Sequence, residues 1–131
     1  MKKLSKSHNT IKSPAYSIVI PAYNEQNRLP GSITSLTEFI NNQEESFEVL
    51  LVVEKSTDST LELAKKMAGS DKRFRIINNK VHKGKGYAVK SGILAANGEI
   101  IFFMDADLST DLKSVGEFIH ELNKRPELDV L

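Results

Sequence analysis

The chain has 131 residues, 40% hydrophobic and 27% charged, which is enough for one domain with its own core. A net charge of +1 argues against bulk attraction to nucleic acid or membrane, and the absence of cysteine excludes disulfides and thiolate chemistry. No apolar run approaches a membrane span in length, and none resembles the apolar segment of a signal peptide.

Residues 1–14 carry Lys2, Lys3, Lys6, His8 and Lys12 with few apolar neighbours, and read as a basic tail outside the fold. Clustered lysines also admit a second reading, association with an anionic lipid surface. Residues 15–131 form the predicted domain. Its first strand is Tyr16-Ser17-Ile18-Val19-Ile20, a β-branched run closed by Pro21. A loop, Pro21-Ala22-Tyr23-Asn24-Glu25, leads to a helix over 28–41 with Leu29, Ile33, Leu36, Phe39 and Ile40 at helical spacing.

A second strand spans 47–53, followed by the loop Glu54-Lys55-Ser56-Thr57-Asp58-Ser59-Thr60 and a helix over 61–68 capped by Thr57 or Asp58. A short third strand covers 74–77. His82-Lys83-Gly84-Lys85-Gly86 then opens a helix whose apolar positions include Ala88, Val89, Ile93 and Leu94. The fourth strand is the apolar run Ile100 to Met104, expected to be buried in a parallel sheet. A final helix over 111–124 is expected to be capped by Ser109 or Thr110, and 128–131 read as a fifth strand just beginning. That unfinished strand suggests a truncated gene product, and an incomplete sheet would expose an edge through which two copies could pair. Strand–helix alternation predicts an α/β, Rossmann-like, mostly parallel sheet with flanking helices.

The fourth strand ends in Asp105-Ala106-Asp107, and ligands of open α/β sheets bind beyond the carboxyl ends of strands. In extended backbone Asp105 and Asp107 would face one point, suiting Mg²⁺ or Mn²⁺ that in turn holds a diphosphate. A solvated Asp-rich turn capping the next helix is the plainer alternative. At the other strand ends, Tyr23 could stack on a base, Asn24 and Glu25 could accept from ribose or base, and Glu54 could accept a base N–H with Ser56 and Thr57 near the ribose. Each of these loops also serves as ordinary turn or capping chemistry. Gly84-Lys85-Gly86 lets backbone amides approach phosphate, with Lys83 and Lys85 adding charge. It is neither a dinucleotide fingerprint, because Val89 stands where the last glycine belongs, nor a Walker A loop, because Gly86 follows Lys85. His82 reads as a turn residue, with no partner acid near it in sequence. No Ser/His/Asp set, zinc-spaced cluster or aromatic-studded basic face is present, so nucleotide plus metal is the coherent reading.

These four ordered segments carry a resemblance. Ile18 to Glu25, Val52 to Thr60, Gly84 to Val89 and Asp105 to Thr110 resemble family 2 glycosyltransferases of the GT-A fold, most closely their dolichyl-phosphate and polyprenyl-phosphate glucosyl- and mannosyltransferase branch. The resemblance implies transfer, with inversion, of a hexose from a UDP-sugar or GDP-mannose to a polyprenyl or dolichyl phosphate. It also implies a location in the cytoplasm or at the cytoplasmic face of a membrane.

By matching positions, Pro21, Ala22, Tyr23, Glu25, Val53 and Glu54 would surround the nucleoside. Asp105 and Ala106 would lie against ribose and diphosphate, Asp107 (with Asp105 beside it) would bind the metal, and Lys85 would sit near the phosphates. Ser109, where mannose-transferring members often carry Gln, favours glucose. Glu54-Lys55-Ser56 is one residue shorter than the family's usual Asp-Asp-Gly-Ser, which leaves the base open. Acceptor-side catalytic groups would lie beyond residue 131. The alternative function is a non-catalytic nucleotide-binding or interaction module of the same fold. A sugar-nucleotide pyrophosphorylase would want a Gly-rich basic loop after the first strand, which Pro21 to Glu25 is not.

Overall fold

The computed structural model describes residues 13–108 and 112–125. In chain order its elements are β1 (Tyr16–Ala22), α1 (Leu29–Asn41), β2 (Phe47–Glu54), α2 (Thr60–Ala68), β3 (Phe74–Asn79), α3 (Lys85–Ala95), β4 (Ile100–Phe103) and α4 (Leu112–Lys124). All strand pairings are parallel and the order is β3-β2-β1-β4. The expected caps Ser109 and Thr110 and the expected fifth strand lie outside the described residues, as do the lysines of the tail.

Alternation along the central strands divides the core in two. Ile18, Ile20, Val49, Leu51 and Val53 face α1, α2 and α4, meeting Leu29, Leu36, Ala64 and Ile119. Val19, Leu50 and Val52 face α3 through Ala88. Connections β1–α1–β2 and β2–α2–β3 move one way along the sheet on one face. The chain then crosses back over the other face, through α3, to β4 on the far side of β1. Right-handed crossovers demand that change of face when the direction reverses. The reversal makes a switch point between β1 and β4, and a crevice opens there at the strands' carboxyl ends.

Several boundaries differ from the sequence expectation for physical reasons. β1 runs through Pro21 to Ala22 instead of stopping at Ile20. Val19 O accepts from Met104 N, so odd-numbered residues of β1 turn their backbone toward β4; at Pro21 that strand has ended, and no N–H is needed. β4 is a partly buried edge strand among the described residues, not a buried one, and Phe103 is 55% exposed. The apolar positions of α3 do not all share its buried face. Ala88 and Gly92 are its buried residues, while Ile93 and Leu94 are exposed. At the amino-terminal ends of the two central strands, buried Glu48 of β2 accepts from Ser17 Oγ and Asn97 N, both at 2.6 Å, which fixes the entry into β4.

Candidate functional site

The loops after β1 and β2 are fastened to each other. Asn24 adopts a left-handed backbone, φ 53°; its N–H donates to Ser56 Oγ at 3.0 Å, and its Oδ1 accepts from Thr57 N at 2.9 Å. Glu25 N donates to Thr60 Oγ1 at 2.8 Å, and Ser59 N donates to Gln26 Oε1 at 2.9 Å. Ser59 occupies the N-cap position of α2 without a side-chain cap. The expected Asp58 stands one residue before it, accepting from Thr60 N at 3.0 Å and from Gln26 N at 3.3 Å. Burial pushes the Asp58 carboxyl upward, but hydrogen bonds from Thr60 and Gln26 outweigh it and hold it below the usual 3.8. Asn24, Ser56 and Thr57, expected near base or ribose, are therefore committed to joining the loops.

β4 ends at Phe103, so Asp105 and Asp107 do not converge by strand alternation. They sit in a tight turn closed by Leu108 N donating to Asp105 O at 2.8 Å, with Leu108 at φ 55°. The turn is clamped from two helices. Ser32 of α1 donates to Ala106 O, Arg28 lies 3.4 Å from Asp107 Oδ2, and Lys85 at the start of α3 pairs with Asp105. Arg28 also donates to Glu25 Oε1 at 2.8 Å.

A cavity of about 390 Å³ opens between these loops, within the range of small-molecule sites. Pro21, Ala22, Tyr23, Glu25, Glu54, Lys85, Asp105, Ala106 and Asp107 all line it, so nine of the residues expected from sequence are brought together. Val53 is not among them. Its side chain belongs to the α1–α2 core at 1% exposure, because alternation turns it away from the crevice.

Three lining residues were missed: Arg28, His82 and Ala88. His82 Nδ1 lies 2.6 Å from Glu54 Oε1, and its ring stacks on Tyr23 with centroids 3.7 Å apart and planes 6° from parallel. Its partner acid is 28 residues away in sequence, which local reading could not find. Gly84, at φ 101°, turns its N–H to the same Glu54 oxygen at 3.1 Å. Glu54 Oε2 is buried and has no hydrogen-bond partner among the described residues.

Among the described residues, no three acidic or imidazole side chains are grouped to enclose a cation by themselves. Asp105 and Asp107 present two hard oxygen groups to one cavity. That donor set fits Mg²⁺ or Mn²⁺, which take one or two carboxylates and complete their shell with phosphate oxygens and water. The neighbouring Lys85 and Arg28 suit a diphosphate.

Comparison with known proteins identifies the family. A dolichyl-phosphate beta-glucosyltransferase of Dictyostelium discoideum is 33% identical over 133 residues, covering 92% of this chain and 40% of its own length. The S. aureus TarS 1-349 structure in complex with UDP-GlcNAc matches with a TM-score of 0.60 and 28% identity, over 82% of this chain and 32% of that one. The mannosyltransferase PcManGT from Pyrobaculum calidifontis, in complex with GDP-Man and Mn²⁺, matches with a TM-score of 0.58 and 27% identity, over 73% and 28%. The chain thus spans well under half the length of these proteins. The profile of Glycosyl transferase family 2 covers residues 17–131, and the chain belongs to that family.

Proposed function

We propose that the cavity binds the nucleoside diphosphate of a sugar nucleotide, and that the chain is the donor-binding part of a glycosyltransferase delivering a hexose, glucose foremost, to a polyprenyl or dolichyl phosphate. The observation that carries this is the meeting, in one cavity, of a base-type wall and a diphosphate-type wall. Tyr23 and Glu54 supply a ring face and a carboxylate; Asp105, Asp107 and Lys85 supply two carboxylates and a cation. The relatives' acceptor, named in a dolichyl-phosphate beta-glucosyltransferase, supports the lipid phosphate.

In this reading Tyr23 stacks on the base and Glu54 accepts its ring N–H. Asp107, with Asp105 beside it, holds a divalent cation, which when bound supplies charge to the leaving diphosphate. Lys85 and the amides that open α3 add to that stabilisation. An oxygen of the acceptor phosphate forms the new bond to the anomeric carbon as the bond to the diphosphate breaks, and the electron pair leaves with the diphosphate. A phosphate acceptor is anionic at neutral pH, so no strong general base is demanded of the cavity.

The test is transfer of labelled hexose from UDP-glucose, UDP-N-acetylglucosamine or GDP-mannose to a short polyprenyl phosphate with Mn²⁺ present. Label in the lipid fraction is the expected result. Donor binding without transfer would restrict this chain to a nucleotide-binding module, and no donor binding would overturn the assignment. Among the described residues no helix is long and apolar enough to cross a membrane.

A further inference from the structure

Tyr23 and Glu54, the two groups assigned to the base, are both engaged by one side chain of the protein itself. His82 lays its ring on Tyr23 at 3.7 Å, within 6° of parallel, and sets Nδ1 2.6 Å from Glu54 Oε1. A planar ring that stacks on an aromatic face and offers an edge N–H to a carboxylate is what a nucleobase would present there. Glu54 is 2% exposed, so nothing from solvent reaches its carboxylate while the imidazole and Gly84 cover it.

We propose that His82 is an internal occupant of the base subsite, displaced by the nucleobase when nucleotide binds. The inference rests on the nucleotide-binding reading above. Leaving a buried carboxylate without donors is costly. An imidazole that steps out as a base N–H steps in keeps a ring donor on Glu54 Oε1 throughout, beside the Gly84 N–H. The segment that carries His82 is lightly covered. Val81 is 50% exposed, His82 itself is 44% exposed, and Gly84 supplies a backbone pivot that residues with a Cβ rarely adopt. Binding is then an exchange. A base must replace both the stack and the hydrogen bond, so His82 discriminates against rings that lack an edge N–H. The cost of displacement lowers apparent affinity in proportion to the fraction of molecules with His82 in place.

The experiment measures equilibrium dissociation constants of UDP and GDP, with Mn²⁺, for the wild-type chain and for His82→Ala. In parallel, imidazole ¹H–¹⁵N signals of the wild type are followed through the titration, which needs no substitution. The expected result is tighter binding to His82→Ala, about tenfold if the imidazole is in place about nine-tenths of the time. The ring signals of His82 in the wild type should also lose the ring-current shift from Tyr23 at saturation. If the wild type binds nucleotide but His82→Ala binds equally or more weakly, and the His82 signals stay where they were, the occupant role is wrong while the nucleotide site stands. If neither protein binds either nucleotide, both readings fall.

Discussion

Gly92 of α3 lies so close to Val19 of β1 that a Cβ on it would fall 2.3 Å from Val19 Cγ1 and 3.0 Å from Val52 Cγ2. Both valines are fully buried, so neither can swing aside. This close approach seats α3 on the sheet and thereby aims its first residue, Lys85, at Asp105.

Gly92→Ala is therefore expected to destabilise the fold by about 1–3 kcal/mol, as overpacking of a tight contact does. Gly86→Ala, in the same helix with nothing within 4 Å of the added atom, should be neutral or up to about 1 kcal/mol stabilising. Urea unfolding of the two variants checks this. Equal losses at both positions would contradict the packing account.

The junction of the first two loops makes a second prediction. Asn24→Ala loses the bonds to Thr57 and places a Cβ residue at φ 53° without the local polar contacts that make it tolerable. The expected cost is roughly 2 kcal/mol. Asn24→Gly keeps the backbone and loses only the side-chain bonds, so it should cost about 1 kcal/mol. The order of the two thermal midpoints is the readout.

Fold class and element order were legible from hydrophobic period, and Tyr23, Glu25, Glu54, Lys85, Asp105 and Asp107 from the composition of strand ends and the glycine-opened helix, because both are local in sequence; Pro21, Ala22 and Ala106 came from the family resemblance. What was missed depends on contacts between distant segments. The buried face of α3 centres on Gly92, which has no side chain to register in a hydrophobic pattern. Val53 was assigned to the site by family resemblance, yet one step of strand alternation sends it into the core. His82 lacked a visible partner because Glu54 reaches it from β2. Asp105 and Asp107 reach one cavity through a turn clamped by Ser32, Arg28 and Lys85, and not by the extended geometry their spacing suggested.

Asp58 gives a pH prediction. Its folded carboxyl is held below 3.8, so its contribution to stability is fully present above that value and is lost as pH falls through the lower folded value. Between about pH 6 and about pH 3 the wild type should lose more stability than Asp58→Asn, because the variant has no carboxylate to protonate there. Urea midpoints at the two pH values decide it; parallel losses would contradict the sign.

Lys85→Ala separates the two walls of the cavity. Affinity for a nucleoside diphosphate should fall about tenfold or more, since a charge-assisted contact is removed, while affinity for the bare nucleoside should hold. Equal losses for both ligands in a titration would place Lys85 outside the diphosphate subsite.

The central claim is a cation-dependent nucleotide site, and thermal unfolding of the wild type and Asp107→Asn tests it most directly. Each protein is heated with and without Mn²⁺ and with UDP, UDP-glucose, UDP-N-acetylglucosamine or GDP-mannose. Ligand bound by the native state raises the midpoint with its occupancy. The account predicts a rise in the wild type that needs both Mn²⁺ and one nucleotide class, and its loss in Asp107→Asn. No rise with any nucleotide, or an equal rise in both proteins, would contradict it.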